Sequence, residues 1–439
     1  MLTLSDVIQN RLCCSCGACS AACPTGAVDF VETTGGNIQP HIDHEKCISC
    51  GRCVSVCPGA RLAGEVLRNM PEDIFSGNVL GSYVGKAGYR EIHEGGQGGG
   101  VVTALLRHAF ENDMIDSATA VSMGWGAPPR PQPRLITDVE ELYLAQGSKY
   151  APVPLLSVLK DNAEKGHRIA FAGLPCQVQG LRNLASVVPA FQEKIVITIG
   201  LFCDRTLTAA AIDFLITEAG LTKDDRCRLS FRDKSCGGFP GNVSIRTEDG
   251  RTRVLEAKKR MEIKDLFTPP RCRICFDKMN VFCDLAVGDP WGVREYDRNQ
   301  GESVIVTRTK KGENFLDSAM ASGSILAREA SCYSILKGQR IHEKRRVCTN
   351  YLAAWRDLGY HLPDYAKKIM DIPASSSGNF RRSLLRSVRL DDLASRRELL
   401  EEAAKETRFV KIKSSLQFPL KILRGMISFA AAFFNGKKE

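Results

Sequence analysis

Strand-like and helix-like patterns alternate through the middle of the chain. Arg168-Ile-Ala-Phe-Ala172 is a short apolar strand. Ile195 to Phe202 is a continuous apolar run, of the kind a parallel sheet buries on both faces. Helical patterns lie between and around them. Leu155, Leu156 and Leu159 share one face of a helix that Gly166 stops, and a further helix starts near Gln177. Thr208 to Ala219 reads as a helix ended by Gly220, and Glu313 to Ser322 as another. Thr137-Asp-Val-Glu140 resembles a capping box opening a short helix. Asn78 to Gly88 reads as a connector with short strands. The order is βαβ, so adjacent strands are expected to be parallel. The fold class is α/β, or α+β overall. An α/β unit on a largely parallel sheet spans residues 80–330, a separate segment spans 1–75, and a basic helical extension spans 331–439.

Two cysteine runs change the picture. Cys13, Cys16, Cys19 and Cys23-Pro24 repeat as Cys47, Cys50, Cys53 and Cys57-Pro58. Each run is C-x2-C-x2-C-x3-C-P, the spacing that holds 4Fe–4S clusters in bacterial two-cluster ferredoxins. In that arrangement the Cys before Pro ligates the other cluster. One cluster therefore takes Cys13, Cys16, Cys19 and Cys57; the second takes Cys47, Cys50, Cys53 and Cys23. Ser15, Gly17, Ala18, Ser49 and Gly51 are small enough for the backbone to wrap a cube. Zinc sites usually pair their cysteines, and disulfides do not explain three-plus-one runs closed by Pro. Cys14 is surplus and reads as a spacer.

The chain has 439 residues, 18 of them Cys, with a net charge of +10. Length allows two to three domains, and this cysteine usage points to metal in a reducing cytoplasm. Met1-Leu-Thr-Leu-Ser-Asp has no basic region followed by an apolar core, so no signal peptide is expected. The positive charge suits an anionic substrate or an acidic membrane surface, and no nucleic-acid motif accompanies it. Pro373 to Gly378 reads as a linker, and a charged helix follows from about Leu390 to Phe409. The apolar run Phe418 to Phe434 is broken by Lys421 and Arg424, which argues against a membrane span. Leu416, Leu420, Leu423, Ile427 and Phe434 share a helical stripe, expected to lie in a membrane interface, in a partner's groove, or on the core.

Two further features carry chemistry. Glu94-Gly-Gly-Gln-Gly98-Gly99-Gly100 opens an apolar helix, where bare amides can meet a phosphate, although a plain tight turn has the same composition. Cys176 and Cys203 each follow a strand, so parallel pairing brings them to one sheet edge. With the C-x2-C pair Cys272 and Cys275 they would complete a four-thiolate site; buried free cysteines are the alternative.

Taken in order, Gly98-Gly-Gly-Val-Val-Thr103, Gly147-Ser148-Lys149-Tyr150, Gly173-Leu-Pro-Cys176, Gly200-Leu-Phe-Cys203, Cys272-x2-Cys275 and Val287-Gly-Asp289 resemble the beta subunit family of coenzyme F420 hydrogenase and dehydrogenase. The likeness runs from about Gly81 to Arg328, with a two-cluster ferredoxin segment fused in front. It implies FAD by Gly98, Gly99, Gly100, Thr103, Ser148, Lys149 and Tyr150, with Lys149 facing a phosphate or the reduced flavin; a solvated surface lysine is the bland reading. It also implies a third 4Fe–4S cluster on Cys176, Cys203, Cys272 and Cys275, with Cys283 a rival ligand. Coenzyme F420 is then the hydride substrate, and a protein redox partner or larger complex the other party. The rivals are the same core acting on a pigment precursor or unsaturated ring, and a pure electron-transfer subunit. No acid or base residue is identified. The expected location is cytoplasmic, or peripheral on the inner membrane face through the tail.

Overall fold

The computed structural model describes residues 2–162, 167–370 and 378–391. The apolar tail, most of the Pro373 linker and Gly166 lie outside the described residues.

The two cysteine runs fold alike. Ser15 and Ser49 take left-handed φ of 57° and 54°, and Gly17 and Gly51 of 93° and 73°. Each glycine opens a one-turn helix, Ala18–Ala21 and Arg52–Ser55. The left-handed turns coil the chain so that cysteines three apart face one centre, which only small residues allow cheaply. The hairpin Val28–Glu32 with Ile38–Ile42 covers one side.

The middle of the chain builds an eight-stranded sheet. Its spatial order is Ile325–Glu329, Gly81–Ala87, Ser303–Thr307, Leu285–Gly288, Ile195–Leu201, Ile169–Gly173, Ser117–Ser122, Gln132–Ile136. The parallel pairing expected from the sequence is confined to the four strands between Leu285 and Ser122 in that order. The outer pairs are antiparallel. The cause lies in the connections: Ser117–Ser122 reaches its neighbour through a loop with Pro128, Pro129 and Pro131, not a helical crossover, and a short link returns the chain antiparallel. Gly81–Ala87, within the stretch read from the sequence as a connector with short strands, is a seven-residue strand inside this sheet. A second sheet, Thr252–Leu255, Asn242–Thr247 and Cys227–Asp233, was not anticipated.

Helices begin close to the expected places. Leu155–Asn162 is a 3-10 helix whose Leu155, Leu156 and Leu159 are all buried. Asp138, not Thr137, caps Val139–Ala145 by accepting from Glu140 N. The helix after the Ile169 strand runs Pro175–Val187, so Cys176 sits in its first turn. Downstream, Cys332–Gly338, Ile341–Asp357, Ala366–Met370 and Gly378–Asp391 are helical. They do not form a detached extension. Trp355, Tyr365 and Ile369 share one core with Leu12 and Leu62 of the N-terminal segment and with Val304 and Val306 of the sheet.

Candidate redox site

The thiols gather in three groups. Cys13, Cys16, Cys19 and Cys57 are near enough to repel one another as thiolates. Burial, then the neighbouring sulfurs, raise the Cys13 and Cys19 thiols, and burial pushes Cys57 up to about 12. Backbone amides already aim at this sulfur chemistry: Ser15 N donates to Cys13 Sγ at 3.4 Å, and Ala27 N to Cys23 Sγ at 3.2 Å. Cys23, Cys50 and Cys53 make a second, more open group, in which burial and then Cys50 raise the Cys53 thiol. Cys47 belongs to the same loop.

The two groups differ in cover. Cys16, Cys19 and Cys57 are 6–8 % exposed, whereas Cys50 is open to solvent. A Cβ on Gly17 would lie 2.7 Å from Pro154 O, but one on Gly51 would meet nothing within 4 Å. The first run is thus docked against the α/β unit, with Leu156 N donating to Cys16 O at 2.9 Å. Ile48, between Cys47 and Cys50, is 64 % exposed.

The third group is Cys176, Cys203, Cys272 and Cys275. Their thiolates repel one another across the group. Burial, and then Cys272 and Cys275, raise Cys203. Parallel pairing of Ile169–Gly173 with Ile195–Leu201 brings Cys176 and Cys203 to one sheet edge. Cys14, read as a spacer, joins the first group to the third: its sulfur lies near enough to Cys16 and to Cys176 to raise both thiols. Cys283 lies elsewhere, buried under Gly200 with its thiol donating to Asn280 O at 2.9 Å. Among the described residues no three His, Cys, Asp or Glu side chains converge on a single ion. Ligands of an iron–sulfur cube stand wider, because the inorganic core lies between them. Buried thiols that raise one another's pKa suit such a core, whose iron charge offsets the thiolates.

A cavity of about 820 Å³ opens beside the third group. Its wall includes Gly98, Gly100, Thr103, Ser148, Lys149 and Tyr150 from the expected flavin set, and Cys203. Gly99 turns the other way: its N donates to Ser303 Oγ at 3.1 Å, and a Cβ there would meet Gly85 O at 2.6 Å. Gly100, at φ 72°, starts the helix Val101–Glu111. Gln97 ties the two lips together, its Oε1 accepting from Ser148 N at 2.8 Å.

Lys149 is not a solvated surface residue. Its Nζ donates to the carbonyls of Ala145 and Gln146 at 2.6 and 2.8 Å, and burial lowers its pKa to about 7. A half-buried ammonium whose hydrogen-bond partners among the described residues are carbonyl dipoles in a cavity wall fits an anionic ligand. Further basic groups line the cavity that sequence reasoning passed over: Arg205, Arg232, Arg260 and Lys278. Arg232 is braced by Asp289, with Nη1 and Nη2 donating at 3.0 and 3.1 Å. The Val287-Gly-Asp289 motif marked one half of that pair; the other half lies on the unanticipated second sheet.

Lys344 reaches the third group from the helix Ile341–Asp357. Burial opposes its charge, but the Asp204 carboxylate and then the Cys275 sulfur outweigh burial and hold its pKa above the ordinary value.

A mixed α/β sheet with cysteine clusters on one edge and at its N-terminal flank defines an iron–sulfur redox protein. Family models agree: a 4Fe-4S dicluster domain matches residues 12–60, and the beta subunit N-term and C terminus of coenzyme F420 hydrogenase/dehydrogenase match 82–160 and 166–331. The chain belongs to this beta subunit family, with the dicluster domain in front. It is similar to a component of the F420H2 dehydrogenase of Methanosarcina mazei, at 28 % identity over 72 % of this chain and 84 % of the relative. The coenzyme F420-dependent sulfite reductase of Methanocaldococcus jannaschii is 25 % identical over 81 % of this chain and 54 % of that protein. The beta subunit of the coenzyme F420 hydrogenase of Methanosarcina barkeri is 24 % identical over 63 % and 96 %. A chain of the F420-reducing [NiFe] hydrogenase complex of Methanosarcina barkeri aligns with a TM-score of 0.47 and 23 % identity, over 63 % of this chain and 96 % of that one. Among the described residues no helix is long and apolar enough to cross a membrane.

Proposed function

We propose that this chain exchanges hydride with coenzyme F420 and single electrons with a protein partner, using FAD and three 4Fe–4S clusters. The observation that carries this reading is that Cys203 belongs both to the cavity wall with Gly98, Gly100 and Lys149 and to the third thiol group. A flavin supplies the conversion between two-electron hydride transfer and one-electron transfer to clusters.

The residues divide the work. The amides at the start of Val101–Glu111 and the Lys149 ammonium would hold the phosphates or the anionic ring of FAD. Thr103, Ser148 and Tyr150 shape the same wall. Cys176, Cys203, Cys272 and Cys275 would hold the cluster beside the cavity. Cys13, Cys16, Cys19 and Cys57 would hold the next, across the Cys14 contact, and Cys23, Cys47, Cys50 and Cys53 the outermost. The relatives named for F420-linked dehydrogenase and hydrogenase subunits support this choice of substrate and a partnered role.

Anaerobic purification with iron, sulfide and flavin analysis tests the cofactors, and reduction assays comparing F420, NADH and ferredoxin test the substrate. We expect about twelve irons, bound FAD and F420-specific turnover. Absence of flavin with full iron would leave an electron-transfer subunit. Flavin present without F420 turnover would turn the reading towards another substrate.

A further inference from the structure

The family models stop at residue 331, yet the helix beyond them is fitted to the third thiol group. Lys344, Cys348 and Tyr351 fall one turn apart on a single face of Ile341–Asp357. Lys344 Nζ donates to Asp204 O at 3.3 Å, next to Cys203. Cys348 Sγ donates to Ile274 O at 3.4 Å, between Cys272 and Cys275. Tyr351 OH accepts from Arg273 Nη1 at 3.0 Å. The turn before the next helix, Ala366–Met370, continues the contact: Tyr365 OH accepts from Arg271 and donates to Pro58 O at 3.2 Å. Arg271, Arg273 and Ile274, the residues of Arg271-Cys-Arg-Ile-Cys275 that are not thiol ligands, are therefore all held by the segment after residue 331.

We propose that Ile341–Asp357 is a cap on the third cluster and that Lys344 is a positioning residue that sets its reduction potential. The inference rests on the third-cluster reading above. Reduction adds negative charge to a cluster, and its potential follows nearby charge and solvent exposure. The Lys344 side chain is only 10 % exposed, so its field is weakly screened. Its Nζ lies 4.0 Å from Asp204 Oδ1, which offsets part of the charge. The other ionic groups around it and Asp204 are Lys278 and Arg205, which also pairs with Asp265, and Arg271 and Asp277 both act on Cys275. Four cations, Lys344, Arg205, Lys278 and Arg271, thus stand against three carboxyl groups, Asp204, Asp265 and Asp277, and Lys344 tips the collar towards the reduced cluster. Electrons leaving the cavity are drawn to the thiol group that Lys344 faces.

The test is an EPR-monitored redox titration of the full chain, purified anaerobically as wild type, Lys344→Met, Lys344→Gln and Lys344→Arg, with iron counted in each. Lys344→Met should keep about twelve irons. It should lower one cluster's midpoint by about 59 mV, tenfold in its one-electron equilibrium, while the two ferredoxin-type clusters stay put and Lys344→Arg stays near wild type. Lys344→Gln keeps a donor for the Asp204 carbonyl and serves if the Met variant does not assemble. Loss of that cluster from both neutral variants but not from Lys344→Arg also meets the proposal, because charge alone separates them. Full iron with an unmoved midpoint, an equal shift in all clusters, or loss from all three variants would overturn it. About eight irons in the wild type would instead remove the third cluster itself.

Discussion

Lys149 changes charge within the physiological range, because burial brings its pKa down to about 7. Above that pH it is neutral until an anion approaches; a phosphate beside it favours the ammonium and raises the pKa again. Flavin binding should therefore take up to about one proton near pH 8, and flavin affinity should fall as pH rises from about 7. Calorimetry in buffers of different ionisation heat reads this uptake, and Lys149→Met should abolish it. At the third thiol group, Cys176→Ser should remove about four of about twelve irons and leave the ferredoxin-type signals unchanged; an unaltered iron count there would sink the assignment. Cysteines were the legible residues, since ligand spacing is written in local sequence. Lys344 was not: its partners Asp204 and Cys275 are distant in the chain, and a lysine on a basic helix looks like any solvated one. Cys14 was read as filler for the same reason, its second neighbour being Cys176.

Two helices carry most of the site's geometry. Just before Val101–Glu111 a Cβ on Gly98 would lie 3.4 Å from Ser303 Oγ, 3.7 Å from Glu302 O and 3.9 Å from Asp289 Oδ1, all ordinary contacts. Gly98→Asp should fold, keep its thermal midpoint and lose FAD by setting a carboxylate in the cavity. Full flavin content in that variant would place the phosphates elsewhere. Gly99 cannot serve this purpose, because its substitution would strike backbone first. In Pro175–Val187, Cys176 and Gly180 lie one turn apart, and a Cβ on Gly180 would come within 3.2 Å of Cys16 Sγ and 2.9 Å of Leu156 Cδ1. Gly180→Val should cost about 1–3 kcal/mol and lower the anaerobic thermal midpoint, as it wedges the first cysteine run off the helix. At this scale the central parallel strands were readable from their continuous apolar runs. The antiparallel flanks were not, because loop-borne returns leave no periodic signal. The second sheet also escaped, although Cys227, Leu229 and Phe231 alternate with the more exposed Arg228 and Ser230, a two-residue period that the sequence reading overlooked.

Across the whole molecule the thiol groups form a line from the cavity outward: the Cys203 group, then the buried first run through Cys14, then the open second run. The common core of Leu12, Val306 and Trp355 makes this line one packed body, which the three-part reading of the sequence did not anticipate. That reading followed the reach of the cysteine runs and of the family motifs, which end near residues 75 and 330, whereas the core runs across both bounds. The exposure of Cys50 and Ile48 at the far end gives the molecule a built-in fuse. Dioxygen meets the outer group before any other, since reactivity of cluster thiolates follows access. Timed exposure to air, followed by iron analysis and EPR, should therefore yield a species with about eight irons before any uniform decline. Simultaneous loss of all signals would contradict this order. The part-oxidised protein should still reduce a small dye that reaches the inner groups, while its transfer to a protein acceptor stops, and repair then needs only the peripheral cluster to be rebuilt.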